Sequence, residues 1–278
     1  MTTTLPHLPS LSVTSLGSGS RGNALLIQTS RSALLVDCGI GSRRLASALR
    51  ERGLDLDCIS CLLLTHEHAD HVRELPRVAA TPTPIIATRG SATASGIGQG
   101  RCQLVSGGQT VDAGEFEVSA ISVRHDATEP CGFRISSNDG VVTVLTDLGS
   151  VSGGVMEAVG TADLVVIEAN HDEGMLKRGP YPRHLQRRIL SEVGHLSNHA
   201  AAELLTLALN QSSRVPEIWL AHLSETNNRP SLAVRTVNER LQSIGIRARI
   251  SALPQREASA TWAPNESPKA PRQLTFGI

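Results

Sequence analysis

Residues 59–71 read Ile-Ser-Cys-Leu-Leu-Leu-Thr-His-Glu-His-Ala-Asp-His. The first part, 59–64, is an apolar run of strand length with little polar alternation, the pattern of a strand covered on both faces. At its end stand four ligand-type side chains: His66, His68, Asp70 and His71. Neutral imidazole suits zinc and other first-row ions, and carboxylate suits harder ones. In an extended loop, residues two apart point to one side. His66 and His68 can therefore share one ion, while Asp70 and His71, past a bend, reach a second. Two ions ~3.5–4 Å apart can hold a hydroxide between them and stabilise charge on a phosphodiester or a carbonyl. A polar loop whose rings only cap backbone groups is the plain alternative. Four ligand-type residues in six positions weigh against it.

The same arrangement recurs outward from this point. Residues 116–123 read as a strand ending near His125, and 133–136 with 141–145 as a hairpin ending at Asp147. A buried strand over 164–167 ends at Glu168, and another over 217–220 ends near His222. Upstream, 12–16 leads into the loop 17–22, and 24–29 pairs with 33–37. One helix is expected to be capped by Ser42, with Leu45 and Leu49 on one face and Gly53 past its end. Others are expected over 198–209 and over 230–244, the latter with Val234, Val237, Leu241 and Ile244 in one stripe. Rigid strands that deliver polar side chains at their ends can bring them to one cleft.

Composition bounds the rest. Hydrophobic residues make up 40% of the 278 and charged residues 19%, which is a globular balance. Aromatics are 2%, so the core must be aliphatic. Lys+Arg and Asp+Glu are both 26, and only a local basic patch can argue for nucleic acid. The five cysteines (Cys38, Cys58, Cys61, Cys102, Cys131) are odd in number and lack the spacing of a disulfide framework. With no apolar stretch near the ~18 residues of a membrane span and no signal-like start, a cytoplasmic protein without a membrane role is expected. Cys58 and Cys61 form C-x-x-C but open a strand, and read as small buried residues. One domain is expected over 11–253, with 1–10 and the Pro/Ser-rich 254–278 as flexible termini.

Thr65-His66-Glu67-His68-Ala69-Asp70-His71 resembles the signature of the metallo-β-lactamase superfamily. The resemblance implies an α/β fold, the αβ/βα sandwich, with two mixed sheets face to face and helices on the outer faces. It also implies one ion on His66, His68 and His125, a second on Asp70, His71 and His222, and Asp147 bridging. SGSRGN (18–23), HDATEP (125–130), EANHDEGML (168–176), RGPYP (178–182), GHLSN (194–198) and AHLSETNN (221–228) narrow the resemblance to the YycJ/WalJ group. It spans about residues 12–250. Members are regarded as 5′-to-3′ DNA exonucleases. The resemblance thus implies a metal-dependent phosphodiester hydrolase with two divalent ions, Zn or Mn, acting on DNA rather than RNA through a metal-bridging hydroxide. Asp70 would place the hydroxide and take its proton. Ribonuclease Z is a more distant likeness, and its Glu–His pair, linked to protonating the leaving group, is matched by Glu168 and His195; the alternative is that Glu168 only orients a metal ligand.

Candidate substrate contacts come next. Lys177, Arg178, Arg183, Arg187 and Arg188 fall within twelve positions with no acid between them, and Tyr181, the only tyrosine, lies among them. A polyphosphate chain needs such a strip and a base can stack on the ring. A solvated helix face is the alternative. Ser18 and Ser20 either cradle a terminal phosphate or sit in a tight turn. His171, Ser197 and Asn198 either touch substrate or brace the site. The chain has no room for the cap of ribonuclease J-type enzymes and no arm like that of ribonuclease Z, which weakens an RNA role. Two other readings remain at this stage: a small-molecule hydrolase for a lactone, thioester or cyclic phosphodiester, and a non-catalytic module on the same fold.

Overall fold

The structure, a computed structural model, describes residues 11–98 and 100–264. Their strands form two sheets in which neighbours in sequence are neighbours in space. The first runs β1 (Ser12–Gly17), β2 (Ala24–Gln28), β3 (Ala33–Val36), β4 (Cys61–Leu63), β5 (Ile85–Thr88), β6 (Cys102–Val105). It is antiparallel from β1 to β3 and parallel beyond. The second runs β7 (Thr110–Ala113), β8 (Phe116–Ser122), β9 (Cys131–Ser137), β10 (Gly140–Leu145), β11 (Leu164–Glu168), β12 (Glu217–Ala221), β13 (Ile250–Ala252). It is antiparallel from β7 to β10 and parallel beyond. Both sheets are mixed, as the αβ/βα sandwich requires.

Helices α1 (Ser42–Arg50), α2 (Ala69–Val72), α3 (Leu75–Ala79) and α4 (Arg89–Ala94) fall between strands of the first sheet. The second is accompanied by α5 (Gly153–Gly160), α6 (Glu173–Arg178), α7 (Arg183–Ile189), α8 (Asn198–Asn210) and α9 (Pro230–Gln242). Alternation along each strand sorts the core into layers. Leu34, Val36 and Leu63 join Phe133, Val144 and Val166 between the sheets. Leu35, Leu62 and Leu64 join Leu45 and Leu49 of α1 on one outer face. Val165 and Ile167 join Val155, Leu204 and Val237, from α5, α8 and α9, on the other. Where both faces are covered, as along β3 and β4, the apolar runs are unbroken. Each such side chain contributes about 1.5–3 kcal/mol by leaving water. A one-residue slip would exchange the layers, so the register is fixed.

Several expectations need correction. Ser42 is the first helical residue of α1 and not its cap; Gly41 precedes it without a side-chain cap. Strands β5, β6, β7 and β13 and the short helices add to the elements expected. Cys58 is exposed in a 3₁₀ turn, Leu56–Cys58, and only Cys61 is buried in β4. Residues 254–264 are not a loose tail. Trp262 exchanges backbone hydrogen bonds of 2.8 and 2.9 Å with Val13, and its side chain is buried between the sheets. Backbone pairing and one large apolar ring hold this segment, so it needs no side-chain periodicity. The remainder of the expected flexible termini, 1–10 and 265–278, lies outside the described residues. Among the described residues, no helix is long and apolar enough to cross a membrane.

Three residues at strand ends have left-handed backbone: Asp37 (φ 58°), Asp147 (φ 55°) and His222 (φ 53°). Non-glycine residues rarely stay there unless their surroundings hold them. All three carry side chains into the cluster described next.

Candidate metal centre

His66 and His68 follow β4, His125 follows β8, Asp147 follows β10, Glu168 closes β11 and His222 follows β12. Far apart in sequence, they meet in space. Donor atoms of His66, His68 and His125 lie within 4.8 Å of one another, as do those of Asp70, His71 and His222. His66, His71 and Asp147 satisfy the same limit and connect the two trios. Asp147 Oδ2 is 3.0 Å from His71 Nε2, and Oδ1 is 3.7 Å from His125 Nε2. The bend between the ligand pairs is the start of α2, with His68 as its N-cap. Gly39 seats it: a Cβ there would stand 1.6 Å from the carbonyl oxygen of Asp70.

At four of the five rings the back fixes which nitrogen is bare at the front; His68 instead turns Nδ1 inward, 3.3 Å from His125 Nε2. His71 Nδ1 donates to Asp37 Oδ2 at 2.7 Å, and His222 Nδ1 donates to Glu168 Oε1 at 2.8 Å. His125 Nδ1 donates to the Gly194 carbonyl at 3.0 Å. Thr65 Oγ1 spends its proton on Asp37 Oδ2 at 2.8 Å, so it accepts from His66 Nδ1 at 3.0 Å. With the hydrogen placed at Nδ1, the lone pair of each of these four rings, when neutral, sits on Nε2 and faces the cluster. This is how metal-binding histidines are oriented.

Two observations show that the cluster fits cations. His66 Nε2 is buried without a hydrogen-bond partner, an arrangement that costs free energy unless something positive is shared there. The charges point the same way. Burial would depress His71, but the Asp37 and Asp147 carboxylates outweigh it and hold the ring at about 10. His222 is likewise held well above the ordinary histidine value against burial, chiefly by Asp147. Burial pushes His66 well down and His125 down. Asp147 stays well below the usual carboxylate range despite its burial because His222 and His71 face it. In the metal-free chain, protons do the work of cations on the Asp70–His71–His222 side. A set of imidazoles and carboxylates in this geometry can bind divalent metal ions.

A family model described as a beta-lactamase superfamily domain matches residues 33–216. The chain belongs to the metallo-β-lactamase superfamily. Within the superfamily it is similar to exodeoxyribonuclease WalJ of Streptococcus pneumoniae, 34% identical over 234 residues that cover 81% of this chain and 86% of the relative. It is also similar to exodeoxyribonuclease YycJ of Bacillus anthracis, 35% identical over 236 residues, 83% and 89% of the two chains. A ribonuclease Z of Bradyrhizobium matches over 41% of the chain at 33% identity. Among solved structures, the metallo-β-lactamase fold protein YhfI of Bacillus subtilis superposes with a TM-score of 0.68 at 16% identity, covering 92% of this chain and 99% of that one. Zn-bound PqqB of Methylobacterium extorquens gives 0.64 at 17%, covering 89% and 99%.

The other residues expected in this superfamily site fall into three groups. Glu168 and His195 are in it. Glu168, fully buried, accepts from His195 Nδ1 at 2.8 Å as well as from His222, and from the backbone N–H of Leu148 and Leu196. Burial would raise this carboxyl, but His195 and His222 bring it down to about 2. His195 Nδ1 is also 3.5 Å from Asp147 Oδ1.

Ser18, Ser197 and Asn198 are committed elsewhere. Ser18 Oγ accepts the His222 backbone N–H at 2.9 Å, so it braces the last ligand, whereas Ser20 is exposed. Ser197 caps α8 and donates to Glu173, and Asn198 is locked to Asn228 by a pair of amide bonds. His171 is buried with both ring nitrogens unpartnered.

The basic strip is thinner than its sequence. Lys177 pairs with Glu173 at 3.1 Å and Arg188 with Asp126, next to His125. Arg178, Arg183 and Arg187 remain exposed, and Tyr181 is half-buried. The Arg188–Asp126 pair also ties basic α7 to the metal cluster. Two residues to which the sequence assigns no role matter here. Asp37 and Thr65 set the tautomers of His71 and His66. Asp37 ends an apolar strand at 33–36, the same signal that marks Asp147 and His222.

Proposed function

We propose that this chain is a metal-dependent exodeoxyribonuclease that degrades DNA from the 5′ end. The observation that carries the reading is the convergence of His66, His68, His125, Asp70, His71, His222 and Asp147, with the front nitrogens of His66, His71, His125 and His222 set by partners behind them. The extended similarity to the WalJ and YycJ exodeoxyribonucleases directs it to DNA.

His66, His68 and His125 would hold one divalent ion, Asp70, His71 and His222 a second, and Asp147 would touch both. Five imidazoles favour zinc, and the two carboxylates leave manganese open. Bound there, the ions would polarise the phosphodiester and supply an acidified water. Asp70 orients the attacking water and takes its proton. His195, fixed from behind by Glu168, presents its other ring nitrogen to the leaving oxygen as general acid. Exposed Arg178, Arg183 and Arg187 hold the strand by its phosphates. Tyr181 stacks on a terminal base and His171 contacts the bound strand. The Ser20 hydroxyl, exposed on its loop, contacts a phosphate. Five cysteines with no disulfide among them suit the cytoplasm.

The test is degradation of duplex DNA with and without a 5′ phosphate by zinc- or manganese-loaded protein, beside RNA, lactone and thioester substrates. Metal-dependent release of nucleotides from the 5′ end, abolished by EDTA and by Asp70→Ala, is expected. Turnover of a small ester with every nucleic acid left intact would overturn the proposal.

A further inference from the structure

The last ligand in the chain, His222, is held in a left-handed backbone, as Asp147 is. It stands one residue past β12. Its N–H is held by Ser18 and its carbonyl by Asn170 Nδ2 at 2.8 Å. The next residue is held from outside the two sheets. Gln255 Nε2 donates to the Leu223 carbonyl at 2.7 Å. Arg256 then pairs with Glu225 at 2.9 Å, and Glu225 also takes Arg21 of the Ser18 loop at 2.9 Å.

Arg44 of α1 fastens the same short segment from below. Its Nη1 donates to the Gln255 carbonyl at 2.9 Å, and its Nη2 donates to the carbonyls of Leu16 at 2.7 Å and Glu257 at 3.4 Å. Gly17 makes room for it, since a Cβ there would stand 2.4 Å from Arg44 Nη2. Beyond the clasp, Ser259, Thr261 and Trp262 run beside β1 through bonds to Ser15, Thr14 and Val13. The end of β1, the Ser18 loop and the His222 loop thus share one fastening, whose late segment, 254–257, lies past the matched residues 33–216.

We infer that Gln255 and Arg44 are positioning residues for the second metal ion: they clasp residues 254–257 over the His222 loop and so set the place of its imidazole. Touching neither substrate nor metal, they act through Leu223 and the left-handed backbone of His222. The inference rests on the metal reading given above.

Gln255→Met keeps the side chain's length and removes its donor, and Gln255→Lys restores a donor. Zinc titration under native mass spectrometry should show the second ion bound about tenfold more weakly in Gln255→Met, with the first unchanged and Gln255→Lys recovered. Arg44→Met should act in the same direction. Equal second-ion affinity in Gln255→Met and the unaltered chain would overturn the inference. So would equal weakening of both ions, the mark of general loosening. Hydrogen exchange in the metal-free protein separates this failure from that of the metal reading. Faster exchange over 219–225 in Gln255→Met supports the clasp even if the unaltered chain takes up one ion, and unchanged exchange rejects it.

Discussion

Asp37 Oδ2 lies 2.7 Å from His71 Nδ1, and both side chains are shut away from water. The same carboxylate accepts the N–H and the hydroxyl of Thr65, whose oxygen in turn takes the His66 ring proton. One acid at the end of β3 thus orients a ligand in each trio. Partners of this kind typically govern metal affinity by 10–100-fold. Asp37→Ala should weaken zinc binding by about that factor, read by competition with a chromophoric chelator. Unchanged affinity would show that the rings hold their orientation without it.

Glu168 has four donors around it, and a glutamine cannot accept from all of them. Each buried donor left unmet costs about 1–3 kcal/mol. Glu168→Gln should therefore lower the urea midpoint and also slow turnover. His195→Ala leaves the ligand set intact and removes only the ring beside it. Its kcat on DNA should fall by about 10²–10⁴-fold, with metal content and KM nearly unchanged. Loss of metal in His195→Ala would make it a ligand and not the general acid.

Metal uptake should depend on pH differently at the two ends of the cluster. His71, held at about 10, and His222, held well above its ordinary value, carry a second proton at neutral pH in the metal-free chain. An ion must displace those protons, so the affinity of the Asp70–His71–His222 side rises with pH toward about 10. His66 and His125 are pushed down and are already bare. Calorimetry in buffers of different ionisation enthalpy should therefore find little proton release with the first ion and clear release with the second. Equal release at both steps would contradict the assigned charges.

Arg183 and Arg187 are exposed on α7, four residues apart. Reversing both to Glu should raise KM for DNA at least tenfold and flatten its salt dependence. Cleavage of a small phosphodiester such as bis(p-nitrophenyl) phosphate should be spared. Equal loss on both substrates would place the damage in the metal centre.

The strands that deliver His66, Asp147, Glu168 and His222 are legible because their final residues are buried on both faces, leaving an apolar run that stops where the chemistry starts; β8, before His125, alternates, with Glu117 and Ser122 exposed. Strands β6 and β7 lacked that signal: Gln103, Leu104 and Thr110 are exposed at sheet edges, where no pattern is imposed. Asp37 carries the same signal, but its role exists only once His71 folds back onto it. Ser18 and Asn198 stay open in the sequence between substrate contact and bracing, because a sequence cannot say whether a polar loop residue faces the cleft or the ligand loop behind it. Trp262 was the one clue that 254–264 packs, since an aromatic is scarce in this chain and would be wasted on a loose end.

The hydrogen bonds from Ser259 to Trp262 have a consequence for solubility. β1 is the outermost strand of its sheet, and all six of its residues are buried. A bare strand of that kind is a template on which a second molecule can pair and aggregate. The late segment covers it from within the same polypeptide. A chain cut before Ser259 would display a sticky margin, and cloudiness on concentration would be its first symptom.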